Sequence, residues 1–209
     1  MKNIDINDYL IFDSDNIRLY NCSCEYFNLL NERVNMVFSD PPFGLDLSFC
    51  EDVLMNYCDG HTFLMTNEMV LLPFSTKYID YFVRMYAINT VVPNLISNKA
   101  PMQLADFVSE FRFTKTKFIN KKEGFSNLIE AKKVRMKKHY SQNFDKDSML
   151  FAYFLNHFCN KGDTVLDPFS GSGGLPIACR KLGLKCIAFE TNVDSCKHII
   201  NRLNQKEMF

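Results

Sequence analysis

Residues 162–190 constrain this chain more than any other stretch. Thr164-Val165-Leu166-Asp167 is a short apolar run that ends on an acid, and Pro168 to Gly173 is a glycine-rich loop. Gly174 to Leu182 then reads as a helix stopped by Gly183, and Lys185 to Phe189 as a second strand, followed at once by Glu190. Glycine just past a helical pattern is a stop signal, and a strand, loop, helix and strand in such close order belong to a parallel sheet. The rest of the chain repeats the alternation. Strands are expected at Asn16 to Tyr20, Val34 to Ser39, Thr62 to Thr66, Phe82 to Val92 and Ala105 to Thr114. Helices are expected at Glu25 to Leu30, Phe49 to Tyr57, Ser75 to Tyr81, Asp147 to Asn160 and Val193 to Leu203. The expected class is therefore α/β, a doubly wound and mostly parallel sheet with helices on both faces.

A chain of 209 residues with 47% hydrophobic residues and 20 Phe has material for one core, so residues 1–209 are expected to form a single domain. No run of about 18 apolar residues suggests a membrane span, and Met1-Lys2-Asn3-Ile4-Asp5 lacks the basic-then-apolar pattern of a secretory signal. A cytoplasmic protein is the expectation. The eight cysteines include no Cys-x-x-Cys pair, and Cys22, Cys24, Cys50, Cys58 and His61 match no zinc-ligand spacing, so reduced thiols and no metal are expected.

The net charge is zero, but its distribution is uneven. From Arg112 to Tyr140 ten basic residues (Arg112, Lys115, Lys117, Lys121, Lys122, Lys132, Lys133, Arg135, Lys137 and Lys138) face two acidic ones, Glu123 and Glu130. Such a block is either a solvated loop or the electrostatic footprint of a nucleic-acid binder.

Two loops at strand ends carry chemistry. In Asp167-Pro168-Phe169-Ser170-Gly171-Ser172-Gly173-Gly174, glycine lets the backbone approach a ligand, and the helix that follows offers unpaired N–H groups. A dinucleotide fingerprint would need Gly where Pro176 stands, and the Gly-Lys-Ser/Thr of a phosphate loop is missing. Asp167 repels a phosphate and suits a cation, while Glu190 stands where an acid holds ribose hydroxyls in such folds. A cationic nucleoside without phosphate fits both residues, and S-adenosylmethionine answers that description. The alternative is two ordinary acids beside a structural glycine turn.

The second loop is Ser39-Asp40-Pro41-Pro42-Phe43-Gly44. A buried strand delivers a carboxylate, two prolines have no N–H and leave their carbonyls free to accept, and an aromatic ring follows. Asp40 and the Pro41 carbonyl can accept from an exocyclic amine while Phe43 stacks on the heterocycle. By itself the motif also reads as a proline turn with a packed Phe.

Taken together, Asp40-Pro41-Pro42-Phe43 and the run Gly162 to Gly173, with Leu182-Gly183 and Glu190, resemble the DNA amino-methyltransferases. The order, with the Pro-Pro loop first, the basic segment in the middle and the glycine loop last, is similar to the permuted beta class. The resemblance implies a Rossmann-like methyltransferase fold that binds S-adenosylmethionine through Asp167, Phe169, Gly171, Gly173 and Glu190, with Ser23 near the adenine where relatives place Asp. It implies Asp40, Pro41, Pro42 and Phe43 as the groups that hold a flipped target base, and DNA as the partner. Residues 115–140 occupy the place of a target-recognition insert, with Lys115, Lys117, Lys121, Lys122, Lys132, Lys133, Arg135, Lys137 and Lys138 as its phosphate-contacting residues. Gly174 in place of Thr, and Ser141-Gln142-Asn143-Phe144 in place of a Thr-x-Lys-Pro-like segment, depart from the pattern.

Asp rather than Ser at the head of the loop implies adenine N6 over cytosine N4. Cytosine N4, an RNA base, and an inactive nucleic-acid-binding or partner subunit of the same fold are the alternatives. A glutamine-modifying protein methyltransferase places its cofactor loop first, which the order here disfavours. Pairing into a homodimer, or with a second specificity subunit, follows from the resemblance alone.

Overall fold

A computed structural model of the chain describes residues 4–42, 45–94, 103–114, 127–130 and 148–205. Among these residues nine strands form one sheet: β1 (Leu10–Ser14), β2 (Ile17–Tyr20), β3 (Val34–Ser39), β4 (Cys58–Thr66), β5 (Phe82–Asn94), β6 (Gln103–Phe111), β7 (Leu128–Glu130), β8 (Thr164–Asp167) and β9 (Lys185–Phe189). They lie in the order β1-β2-β9-β8-β3-β4-β6-β5-β7. The central strands from β2 to β4 run parallel, and β6 enters antiparallel to both β4 and β5. The helices that cover it are α1 (Glu51–Asn56), α2 (Glu68–Lys77), α3 (Ser148–Phe158), α4 (Gly174–Leu182) and α5 (Val193–Asn204). The expected α/β class, with helices on both faces of a mostly parallel sheet, is what the chain adopts.

Alternation within the strands explains the two-sided cover. In β3, Met36 and Phe38 enter one core while Val37 enters the other, and in β8 Val165 and Leu166 divide likewise. The first core is aromatic: Phe38 stacks on Phe63 at 5.6 Å and meets Phe154 edge-on at 5.3 Å, joining the sheet to α3. The second core holds Tyr20 against Phe189 at 5.2 Å and Phe74 of α2 against Phe111 at 5.3 Å. Central strands buried on both faces are mostly apolar, and for that reason Val34 to Phe38, broken only by the exposed Asn35, and Val165 to Leu166 stood out in the sequence.

Several boundaries differ from expectation. The helix expected at Glu25 to Leu30 is a 3₁₀ helix over Cys24–Leu30. The helix expected at Phe49 to Tyr57 begins at Glu51, because residues 48–50 form a turn that buries Cys50 and leaves Phe49 outside. The helix expected at Ser75 to Tyr81 lies earlier, over Glu68–Lys77, where the Asn67 side chain accepts from the Val70 N–H. Pro73 lies inside it, and a 3₁₀ turn at Ile79–Tyr81 follows. The strand expected from Thr62 starts at Cys58. Strand β1 was not expected; it joins β2 through Asp15 and Asn16, both left-handed at φ 51° and 67°, the conformation of a two-residue type I′ hairpin. Strand β7 falls inside the basic segment and pairs parallel with β5.

Gly173 shows how tightly the site is joined to the core. Its φ is +83°, and a Cβ there would lie 2.8 Å from the Cγ1 of Ile199 on α5. Gly173→Ala is therefore expected to cost about 1–3 kcal/mol of stability from backbone strain and overpacking. A thermal melt unchanged from the parent protein would contradict this.

Candidate active site

The chain leaves β8 toward β9 on one side and leaves β3 toward β4 on the other, so the boundary between β8 and β3 is where the winding of the sheet reverses. Crevices at the carboxyl ends of strands on either side of such a point are where open α/β sheets bind ligands. Here the crevice is a cleft of about 480 Å³, within the range of about 300–1,000 Å³ typical of small-molecule sites. Asp40, Pro41 and Pro42 line one part of it, together with Leu45 and Phe49. Ser23, Phe169, Gly171 and Glu190 line another, with Cys22, Cys24, Phe189 and Thr191. Two loops separated by more than 120 residues of sequence therefore open into one space.

The acids in this space differ in environment. Asp40 is exposed, one residue beyond the end of β3. Asp167 ends β8 and is only 3% exposed, so it lies under the cleft rather than on its wall. Burial pushes its carboxyl up to about 8; the Ser170 hydroxyl and the Phe169 N–H oppose this, and the nearby charges of Asp40 and Glu190 add to it. The Phe169 N–H lies 3.3 Å from Asp167 Oδ1, while the Ser170 hydroxyl lies close without a well-formed hydrogen bond. Glu190 is held on both oxygens, by the Gly171 N–H at 2.8 Å and the Asn192 N–H at 2.7 Å. Its carboxylate still has lone pairs for two further donors, as a vicinal diol requires. Asp40 and Glu190 on the wall of the cleft, with the acid Asp167 beneath it, make surroundings that favour a cation and disfavour a phosphate.

The glycines divide the work. Gly171 has a φ of +51° and open space beside its Cα, so its backbone can meet both Glu190 and a ligand. Gly173 is buried against Ile199 and does not line the cleft, so its part is to let α4 start where it does. Phe43 and the basic residues Lys115, Lys117, Lys121, Lys122, Lys132, Lys133, Arg135, Lys137 and Lys138 lie outside the described residues, as do Ser141 to Phe144.

Residues that the sequence reading missed also shape the site. The Asn21 side chain, just past β2, donates to the Glu190 carbonyl at 2.9 Å and to the Thr191 carbonyl at 3.1 Å, fixing the turn that aims Glu190. Only the contact across 169 residues identifies it. Asn21→Asp would set a carboxylate against two carbonyls, and losing both bonds is expected to weaken ligand binding in the cleft roughly tenfold, as read by calorimetry. An unchanged affinity would mean that the turn holds itself.

Residues 34–202, which contain both loops, match the N6/N4 methyltransferase family described as DNA methylase. The chain belongs to this DNA methylase family. Its fold is similar to that of the M1.HpyAVI–SAM complex, at TM-score 0.71 and 18% identity over 90% of this chain and 100% of the other. It is also similar to the PvuII cytosine-N4-specific DNA methyltransferase, at TM-score 0.70 and 15% identity over 92% and 88% of the two chains. A protein of Thermus thermophilus, described as a candidate DNA modification methylase and complexed with S-adenosyl-L-methionine, matches at TM-score 0.56 and 15% identity, covering 88% of this chain and 93% of its own. Among curated proteins none matches the sequence significantly. Among the described residues of this DNA methylase no helix is long and apolar enough to cross a membrane, and no cluster of three His, Cys, Asp or Glu residues could hold a metal ion.

Proposed function

We propose that this DNA methylase transfers the methyl group of S-adenosylmethionine to the exocyclic N6 amine of adenine in DNA. The observation that carries the proposal is the shared cleft: Asp40, Pro41 and Pro42 open into the same space as Phe169, Gly171 and Glu190. Among similar structures, M1.HpyAVI is bound to SAM, and the acids here suit a sulfonium nucleoside. When bound, S-adenosylmethionine supplies an electrophilic methyl group with a neutral thioether as its leaving group.

Each residue then has a role set by its place. Glu190 takes the ribose hydroxyls, held ready by the Gly171 and Asn192 N–H groups. Asp167 balances the positive charge from beneath, Phe169 covers the ligand, and Ser23 faces the adenine. Gly173 shapes the loop from behind. On the target side, Asp40 and the Pro41 carbonyl accept hydrogen bonds from the amine of an extruded base, with Pro42 and Phe43 beside the ring. Those bonds localise the nitrogen lone pair, which is otherwise delocalised into the ring. With the methyl donor seated beside it, the amine would be placed for in-line attack on the methyl group, the neutral thioether would leave, and the exposed Asp40 carboxylate would pass the amine proton to water. Extrusion costs a few kcal/mol, offset in part by stacking.

The basic segment 115–140, acting as a target-recognition insert within a single 1–209 unit, would supply phosphate attraction, so transfer should fall steeply with added salt. A homodimer or a second subunit would extend that contact surface. Cytosine N4 is the second reading, favoured by the cytosine-N4 specificity of the similar PvuII enzyme. Labelled S-adenosylmethionine, unmethylated DNA and nucleoside analysis of the product test both. N6-methyladenine supports the first reading and N4-methylcytosine the second. No label in DNA, from folded protein that binds S-adenosylmethionine, would favour an inactive relative or an RNA substrate.

A further inference from the structure

We infer that Phe49 is a base-contacting residue, an aromatic wall beside the Pro-Pro loop against which the extruded base packs. The inference rests on the reaction proposed above and adds a residue that neither loop motif contains. Phe49 is 41% exposed although its neighbours Leu47 and Cys50 are buried, at 4% and 0%. The segment 47–50 therefore sends two of its four side chains into the core and holds a large ring outside it. Leaving such a ring in water forgoes a stabilisation that burial would give. What the ring faces explains why it is there: it lines the cleft beside Asp40, Pro41, Pro42 and Leu45.

Its aromatic contact among the described residues points the same way. Phe49 meets Phe169 of the glycine-rich loop at 6.3 Å with the ring planes 83° apart. An edge-to-face contact uses at most one face of either ring, so Phe49 keeps a face for a ligand. Because Phe169 belongs to the cofactor side and Phe49 to the target side, the pair bridges the two halves of the cleft. A flat heterocycle beside Asp40 would find in Phe49 an apolar surface at the right end of that bridge, and every nucleobase has a π face that an aromatic ring can accept.

Steady-state methyl transfer to unmethylated plasmid DNA tests this, with Phe49→Ala, Phe49→Leu and Phe49→Tyr compared with the parent protein and S-adenosylmethionine affinity measured by calorimetry. Base–aromatic stacking predicts that Phe49→Ala lowers kcat/KM for DNA roughly 5- to 150-fold, with cofactor affinity within about twofold of the parent. Phe49→Tyr restores most of the loss, and Phe49→Leu does not. Rescue by Leu as well as by Tyr overturns the inference, because it would make the residue a packing element. So do an unchanged DNA efficiency in Phe49→Ala and a loss confined to cofactor affinity. If the parent protein itself transfers nothing to DNA, it is the proposed reaction that fails, a result that the variants cannot mimic.

Discussion

Asp40→Ala protein is expected to bind S-adenosylmethionine at least as tightly as the parent protein and to transfer methyl groups about 10²–10³-fold more slowly, the usual loss for one preorganised partner of a developing charge. The two effects separate because of where Asp40 lies. It is exposed on the target side of the cleft, one residue beyond β3, while the groups proposed to hold the cofactor lie on the loops after β2, β8 and β9. Its charge is among those that raise the Asp167 carboxyl, so its removal makes Asp167 easier to ionise and helps a cationic ligand. Asp40→Asn keeps one acceptor oxygen but loses the charge, and should fall between the parent and Ala. Single-turnover transfer at saturating cofactor is the measurement. A rate within fivefold of the parent in Asp40→Ala, with the protein folded, would show that the amine is activated elsewhere.

The parts of this molecule that could be read from its residues share a physical basis. Strands β3, β8 and β9 are buried on both faces over most of their length, so their runs are mostly apolar, with Asn35 and Lys185 exposed near their starts, and each ends at a residue that the solvated crevice tolerates: Asp40 just past β3, Asp167 at the tip of β8, Glu190 just past β9. Local chemistry and global position agree there. They part where tertiary contacts override local signals. The helix at Glu68–Lys77 carries Pro73, which argues against helix interior, yet the Asn67 cap and the burial of Leu71 and Phe74 in the second core hold it in place. Asn21 acts on Glu190 from the end of the neighbouring strand, remote in sequence, and Phe49 acquires its place only when a turn folds it away from Leu47 and Cys50. Gly173 belongs to the motif for a reason the motif does not state: it makes room for Ile199.

The second large effect concerns Asp167 and pH. Its carboxyl is raised from the ordinary 3.8 to about 8, chiefly by burial. The unfolded chain thus gives up this proton near pH 4 while the folded, ligand-free protein keeps it until about pH 8. Between those values the unfolded state binds fewer protons, so folding stability falls as pH rises; above about 8 both states are ionised and the loss is complete. A cationic ligand reverses the preference, because it binds best over the ionised carboxylate. S-adenosylmethionine affinity should therefore climb by up to about tenfold per pH unit from pH 6 toward 8 and then level. Asp167→Asn removes both dependences: the free protein melts higher than the parent at pH 8, and cofactor affinity there falls by roughly 10²-fold, as expected when one member of a desolvated charge pair is lost. The amine of the ligand titrates in the same range, but it does so alike in both proteins, so the difference between them isolates Asp167. Calorimetry and thermal melts across pH 6–9 read both quantities. Parallel pH profiles for the parent and Asp167→Asn would mean that this buried carboxylate takes no part in holding the sulfonium.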